Sequence, residues 1–184
     1  ADYDATNGAM LDVGAASVRV TGDCSADGGQ PRAYMDGGGV RNNGVYCLSN
    51  ALCSGAIWEH IHAQNFIQRG FYPRNDLSTT ATINFTGTDL SCSDIIGAAG
   101  NSPQCIGGFG TGVTLTNITS DRTTDDAVHW EGDSQTINGL YATSPGYQAS
   151  TNLGDCYQCA SNCDKVRLVG WTCDHRSSAT KQCV

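Results

Sequence analysis

Along this chain, short runs of alternating apolar and polar residues end again and again on a residue suited to a bend. The runs are 18–22, 61–66, 85–90, 113–118, 135–140 and 166–171. Their bend residues are Gly22, Asn65, Asp89, Asn117, Gly139 and Gly170, and four of the five gaps between them measure 24, 28, 22 and 31 residues. A repeat of that period is the mark of a stacked architecture, and period-two alternation selects strands over helices. In 113–118 the alternation sends Val113 and Leu115 inward and Thr114 and Thr116 outward, after which Asn117 bends the chain and Ile118 opens the next inward position. The pattern predicts an all-β fold: a short parallel β-helix of about six coils, right-handed because parallel crossovers almost always are.

The whole chain, 1–184, reads as one β-helix domain. The gap of 43 residues between Gly22 and Asn65 contains no clear repeat, and its Gly-rich turns with Cys47 and Cys53 read as a disulfide-stapled loop excursion near 23–56. A second Gly-rich excursion is expected near 93–111. Residues near 154–184 carry Cys156, Cys159, Cys163, Cys173 and Cys183 and read as a cap over one end of the stack.

Composition places this fold outside the reducing cytosol. Ten cysteines (Cys24, Cys47, Cys53, Cys92, Cys105 and the five of the cap) form an even set best read as disulfides, which implies a secreted, extracellular protein. The single Cys-x2-Cys pair at 156 and 159 lacks the second knuckle of a zinc ribbon. Asn84-Phe-Thr86 and Asn117-Ile-Thr119 are acceptor sequons, so Asn84 and Asn117 are the expected glycosylation sites. No run is apolar enough to span a bilayer, no leader-like segment opens the chain, and the first residue reads as that of a mature form. A net charge of −8 argues against nucleic acid as a partner.

The densest charge lies between 121 and 133. Asp121, Asp125, Asp126, Glu131 and Asp133 are candidate calcium ligands, because calcium takes several carboxylate and carbonyl oxygens; the competing reading is a solvated turn with Val128 and Trp130 packed beneath. His60 and His62, two residues apart on one strand face, could chelate a transition metal, but the simpler reading puts Ile61 in the core and both imidazoles at the surface. Thr86-Gly-Thr88 and Thr114-Leu-Thr116 suggest outward threonine pairs of the kind that flat ice-binding faces use. Two pairs do not separate that reading from ordinary solvent-facing threonine.

Thr116-Asn-Ile-Thr-Ser-Asp121, Thr124-Asp-Asp-Ala-Val-His-Trp-Glu-Gly132 and Thr136-Ile-Asn-Gly-Leu140 resemble the coils of pectate-lyase-like right-handed β-helix proteins, over roughly 110–175. The resemblance implies that fold and, for the enzymes among them, acidic polysaccharide as substrate, calcium held by aspartates and a Lys or Arg as base. Lys165, Arg167 and Arg176 are then the candidate bases beside Asp125 and Asp126. The hydrolases of the group also carry Asn-Thr-Asp and Gly-His-Gly, which this chain lacks.

Three functions follow. The leading one is a non-catalytic extracellular glycoprotein, a structural unit that pairs with itself end to end into a filament or matrix and requires no cofactor. The alternative is a calcium-dependent polysaccharide lyase. The third is a carbohydrate-binding module using Trp58, Trp130, Tyr141 and Tyr147 as stacking platforms.

Overall fold

The computed structural model describes residues 8–22, 33–47, 53–73, 79–98, 102–147, 154–159 and 161–174. Cys24, Arg176 and Cys183 lie outside them. The described residues are all-β, and every strand pairing among them is parallel. In chain order the strands are β1 (Ala9–Val13), β2 (Arg19–Thr21), β3 (Ala33–Asp36), β4 (Asn43–Cys47), β5 (Ile57–Gln64), β6 (Arg69–Tyr72) and β7 (Thr82–Ile95). There follow β8 (Gln104–Phe109), β9 (Thr111–Thr123), β10 (Val128–Glu131), β11 (Gln135–Pro145), β12 (Tyr157–Gln158), β13 (Val166–Val169) and β14 (Thr172–Asp174).

Successive passes of the chain alternate between two sheets. One runs β1-β4-β6-β8-β10-β12; the other runs β2-β5-β7-β9-β11-β13, with β3 paired to β5 and β14 to β11. A parallel neighbour cannot be reached by a tight hairpin, so each strand pairs with the one a full pass later, and the intervening strand goes to the opposite sheet. The core lies between the sheets, where inward positions superpose: Trp58, Gly87, Leu115 and Ile137 occupy one register. Aromatic rings run through it, with Trp58 edge-on to Phe85 at 5.0 Å and Phe85 stacked on Trp130 at 5.9 Å between centroids.

Left-handed corners recur in register. His60, Asp89, Asn117, Gly139 and Gly170 form one row of positive φ beside Gly22, and Asn65, Asp94, Arg122 and Ser144 form a second. Ser17, Gly55, Asn84, Gly112 and Ser134 form a third. Such corners disfavour residues with a β-carbon, and the long side chains found there are held by a neighbouring pass. His60 Nδ1 lies 3.1 Å from Asp89 Oδ2, and Arg122 grips Asp94 with Nε and Nη2 at 2.6 and 2.7 Å.

Two sequence expectations need correction. Five of the six expected bend residues share one row, but the second pass contributes His60 to it, and Asn65 belongs to the next row. Ile61 and Ala63 do point inward, so the run at 61–66 repeats the pattern one corner late within a single pass. The expected excursions are built into the sheets: β3 and β4 lie within 23–56, and β8 within 93–111. The segment expected to cap one end of the stack supplies β12, β13 and β14, and β12 and β13 are the last strands of their sheets among the described residues.

Disulfides join Cys92 to Cys105, Cys156 to Cys173 and Cys159 to Cys163. The first ties β7 to β8 across the sheets, and the second ties the segment leading into β12 to β14. No disulfide joins Cys47 to Cys53, and both are fully buried core residues.

Candidate functional site

The strongest concentration of ionisable groups stands where β9 turns into β10. Val128 and Trp130 take the inward positions of β10, which leaves His129 and Glu131 facing out. Trp130 is anchored by its indole N–H to Gly110 O at 2.8 Å, so the register of the two outward side chains is fixed from beneath. His129 Nδ1 lies 3.0 Å from Asp126 Oδ2, and its Nε2 lies 3.1 Å from Glu131 Oε1. The network continues into the next pass. The Asp155 backbone N–H donates to Asp126 Oδ1 at 2.8 Å, and Ser161 Oγ donates to Glu131 Oε2.

Two carboxylates on one imidazole set its charge. Burial works to lower the His129 pKa, but the hydrogen bonds to Asp126 and Glu131 outweigh it and hold the ring above the usual histidine value. Burial likewise raises Glu131, and the bonds from Ser161 and His129 overcome it and bring the pKa below the ordinary range. Asp125 goes the other way: burial, then the neighbouring charge of Asp126, push it up to about 6 against bonds from Ser102 and Gln104. Asp155 is also raised to about 6 by burial and by Asp126 and Asp125. One buried oxygen of Asp155, Oδ1, has no hydrogen-bond partner.

Chemically the bonds close around His129, with one buried oxygen of Asp155 left over. His129 has both nitrogens engaged, so it offers no free lone pair to a metal or a substrate proton. Asp125 and Asp155 are the groups that exchange protons near neutral pH.

The five acidic residues expected to share calcium fall in three places. Asp121 projects from β9 on the other sheet, bonded to Arg122 and to Thr143 Oγ1. Asp125, Asp126 and Glu131 belong to the His129 cluster. Asp133 follows β10, where the Ser134 backbone N–H and then Lys165 hold its pKa low. Among the described residues no three His, Cys, Asp or Glu side chains converge in an arrangement fit to hold a metal ion.

The candidate lyase bases are dispersed as well. Lys165 Nζ lies 3.6 Å from Asp133 Oδ2, and Arg167 stands on β13 beside Thr136 of β11, in the sheet that does not carry His129. Of the expected sugar-stacking aromatics, Trp58 and Trp130 are fully buried core, whereas Tyr141 is 44% exposed. Tyr147 is half-buried. His62 bonds Ser91 Oγ at 2.8 Å and Ser93 Oγ at 3.1 Å, while His60 turns to Asp89. The two imidazoles therefore serve different neighbours.

Both sequon asparagines are exposed and sit at left-handed corners, Asn84 with φ of 48° and Asn117 with φ of 54°. The corner position of Asn117 thus leaves its side chain at the surface, which a glycan requires.

Sequence reading located the acidic run but missed Asp155 and Ser161, which arrive from the following pass. Their only signal was the register between passes, and irregular loop lengths hide it. No family model, curated protein or solved structure matches the chain.

Proposed function

We propose that the chain is a right-handed parallel β-helix of about six coils that serves outside the cell as a non-catalytic structural glycoprotein, stacking end to end with copies of itself. The helical winding is supported by the alternation of passes between two parallel sheets and by the rows of left-handed corners. The pectate-lyase-like resemblance agrees with it. Three disulfides among the described residues fit an oxidising exterior.

The observation that carries self-association is the state of the sheet ends. Among the described residues, β12 ends one sheet and β13 the other, and neither pairs with a further described strand on its outer side. Backbone groups on such edges are templates for another strand. At the β13 end, Val169 and Trp171 are each 40% exposed beside that edge. Against a catalytic reading stands the partnering of the ionisable groups: the His129 cluster is closed on itself, and Lys165 and Arg167 lie elsewhere.

Native material should sediment as a concentration-dependent series of oligomers, with rods visible by electron microscopy. Trp171→Lys should shift it toward monomer at least tenfold in concentration. A monodisperse monomer across a hundredfold dilution series would remove the self-association claim.

A further inference from the structure

The outer flank of β7, β9 and β11 carries a threonine lattice that the sequence only half displayed. Thr86, Thr114 and Thr136 are register partners on three successive strands, and Thr88 and Thr116 are partners two residues on, with Asn138 completing the third strand. The shift in the β7–β9 ladder falls between Thr82 and Phe85, before the lattice begins, so the five threonines stand on an unbroken parallel ladder. Neighbouring strands place their hydroxyls ~4.8 Å apart in one direction, and alternate residues place them ~6.6 Å apart in the other.

Three further observations separate this flank from ordinary polar surface. The five hydroxyls make no hydrogen bond to any described protein atom; those of Thr21, Thr111, Thr123 and Thr143 bond the protein, while Thr119 and Thr172, outside the lattice, share the unbonded state but belong to no such paired rows. The side chains behind them are the closed core of Phe85, Val113, Leu115 and Ile137, so the lattice rests on a rigid base. The lattice is also uncharged in a chain of net charge −8. The nearest charges in its two rows lie on its borders, with Glu59 bound to Arg19 on one side and Arg167 on the other.

We propose that this flank binds ice. Each threonine presents a hydroxyl and a methyl group at a position set by the ladder, so it can hold one water by hydrogen bonding and confine its neighbours against an apolar patch. A rigid two-dimensional repeat of such groups, with a short spacing close to the oxygen repeat of hexagonal ice, favours an ordered water layer over the liquid. Charged or internally bonded side chains would break that layer. The inference is independent of end-to-end association, because the lattice lies on the flank of the strands and not on their open edges.

The test is adsorption of fluorescently labelled protein to a growing ice surface, together with inhibition of ice recrystallisation. Asn84 and Asn117 border the lattice, so both measurements are made before and after enzymatic removal of N-glycans. Thr114→Tyr puts a bulky ring at the centre, and Thr172→Tyr, at an exposed position of β14 on another flank, is the control. Adsorption of either glycoform, reduced at least tenfold by Thr114→Tyr and unchanged by Thr172→Tyr with all melting curves alike, is the expected result. Three outcomes would overturn the proposal: exclusion of both glycoforms from ice, equal loss in both variants, or binding to crystalline polysaccharide with none to ice.

Discussion

The His129 cluster and the threonine flank are both polar surfaces on the outside of a sheet, and they treat hydrogen bonds in opposite ways. Around His129, carboxylates, imidazole, hydroxyl and backbone N–H satisfy one another across two passes of the chain. On the flank, five hydroxyls leave every bond to the solvent side. A network closed on itself stabilises the fold and has little left for a ligand, whereas a repeated, rigid, unpartnered row contributes little to folding and is available to the surroundings. The acidic cluster is therefore read as structural despite its density of titratable groups, and the plain threonines are read as the functional surface.

Substitutions should separate the two surfaces by their cost. Asp126→Ala removes the partner of both His129 Nδ1 and the Asp155 N–H, and should destabilise by about 3 kcal/mol, the usual scale for breaking a buried charged network. Denaturant unfolding measures it; a loss below about 1 kcal/mol would mean that the cluster is not a clasp.

The pH response is the next largest effect. Asp125 and Asp155 have folded pKa values of about 6 against an ordinary 3.8, so the folded state binds their protons more tightly than the unfolded state. Their contribution is complete below pH ~4 and is lost as pH rises through about 6. Asp125→Asn should then raise stability at pH 7.5 by roughly 1–2 kcal/mol, allowing for partial exposure, and change it little at pH 4. Equal effects at the two pH values would contradict the assignment.

On the other surface, Thr114→Val keeps the shape and removes one hydroxyl that bonds nothing in the protein. Its effect on stability should stay within about 0.5 kcal/mol. A larger loss would show that the hydroxyl has an internal partner and would erase the contrast.

Much of this architecture was legible, and the failures have physical causes. Asp89, Asn117, Gly139 and Gly170 were readable as corners because Gly, Asn and Asp tolerate left-handed backbone. His60 was not, since nothing in a histidine signals a corner; Asp89 beside it holds the conformation in place. Each pass also has more than one corner, so Asn65 fitted the pattern at the wrong one. The strands inside 23–56 and 93–111 were obscured by glycines that serve close packing: a β-carbon on Gly108 would come within 2.6 Å of the Trp130 ring. At the acidic cluster, the run from 121 to 133 was visible but its division among three neighbourhoods was not, because the chain crosses from one sheet to the other between β9 and β10 and leaves β10 before Asp133. The third strand of the lattice was hidden by Asn138, which breaks the Thr-x-Thr signature while keeping its place in the ladder.

The most direct test of the account is the strand register on which both surfaces depend. Long-range nuclear Overhauser contacts in labelled protein should link the backbone of Thr114 to Thr86 on one side and to Thr136 on the other, in the parallel pattern. Close Hα–Hα contacts of antiparallel pairing across these strands, or a partner for Thr114 displaced by one residue, would contradict it and dissolve the lattice and the corner rows together.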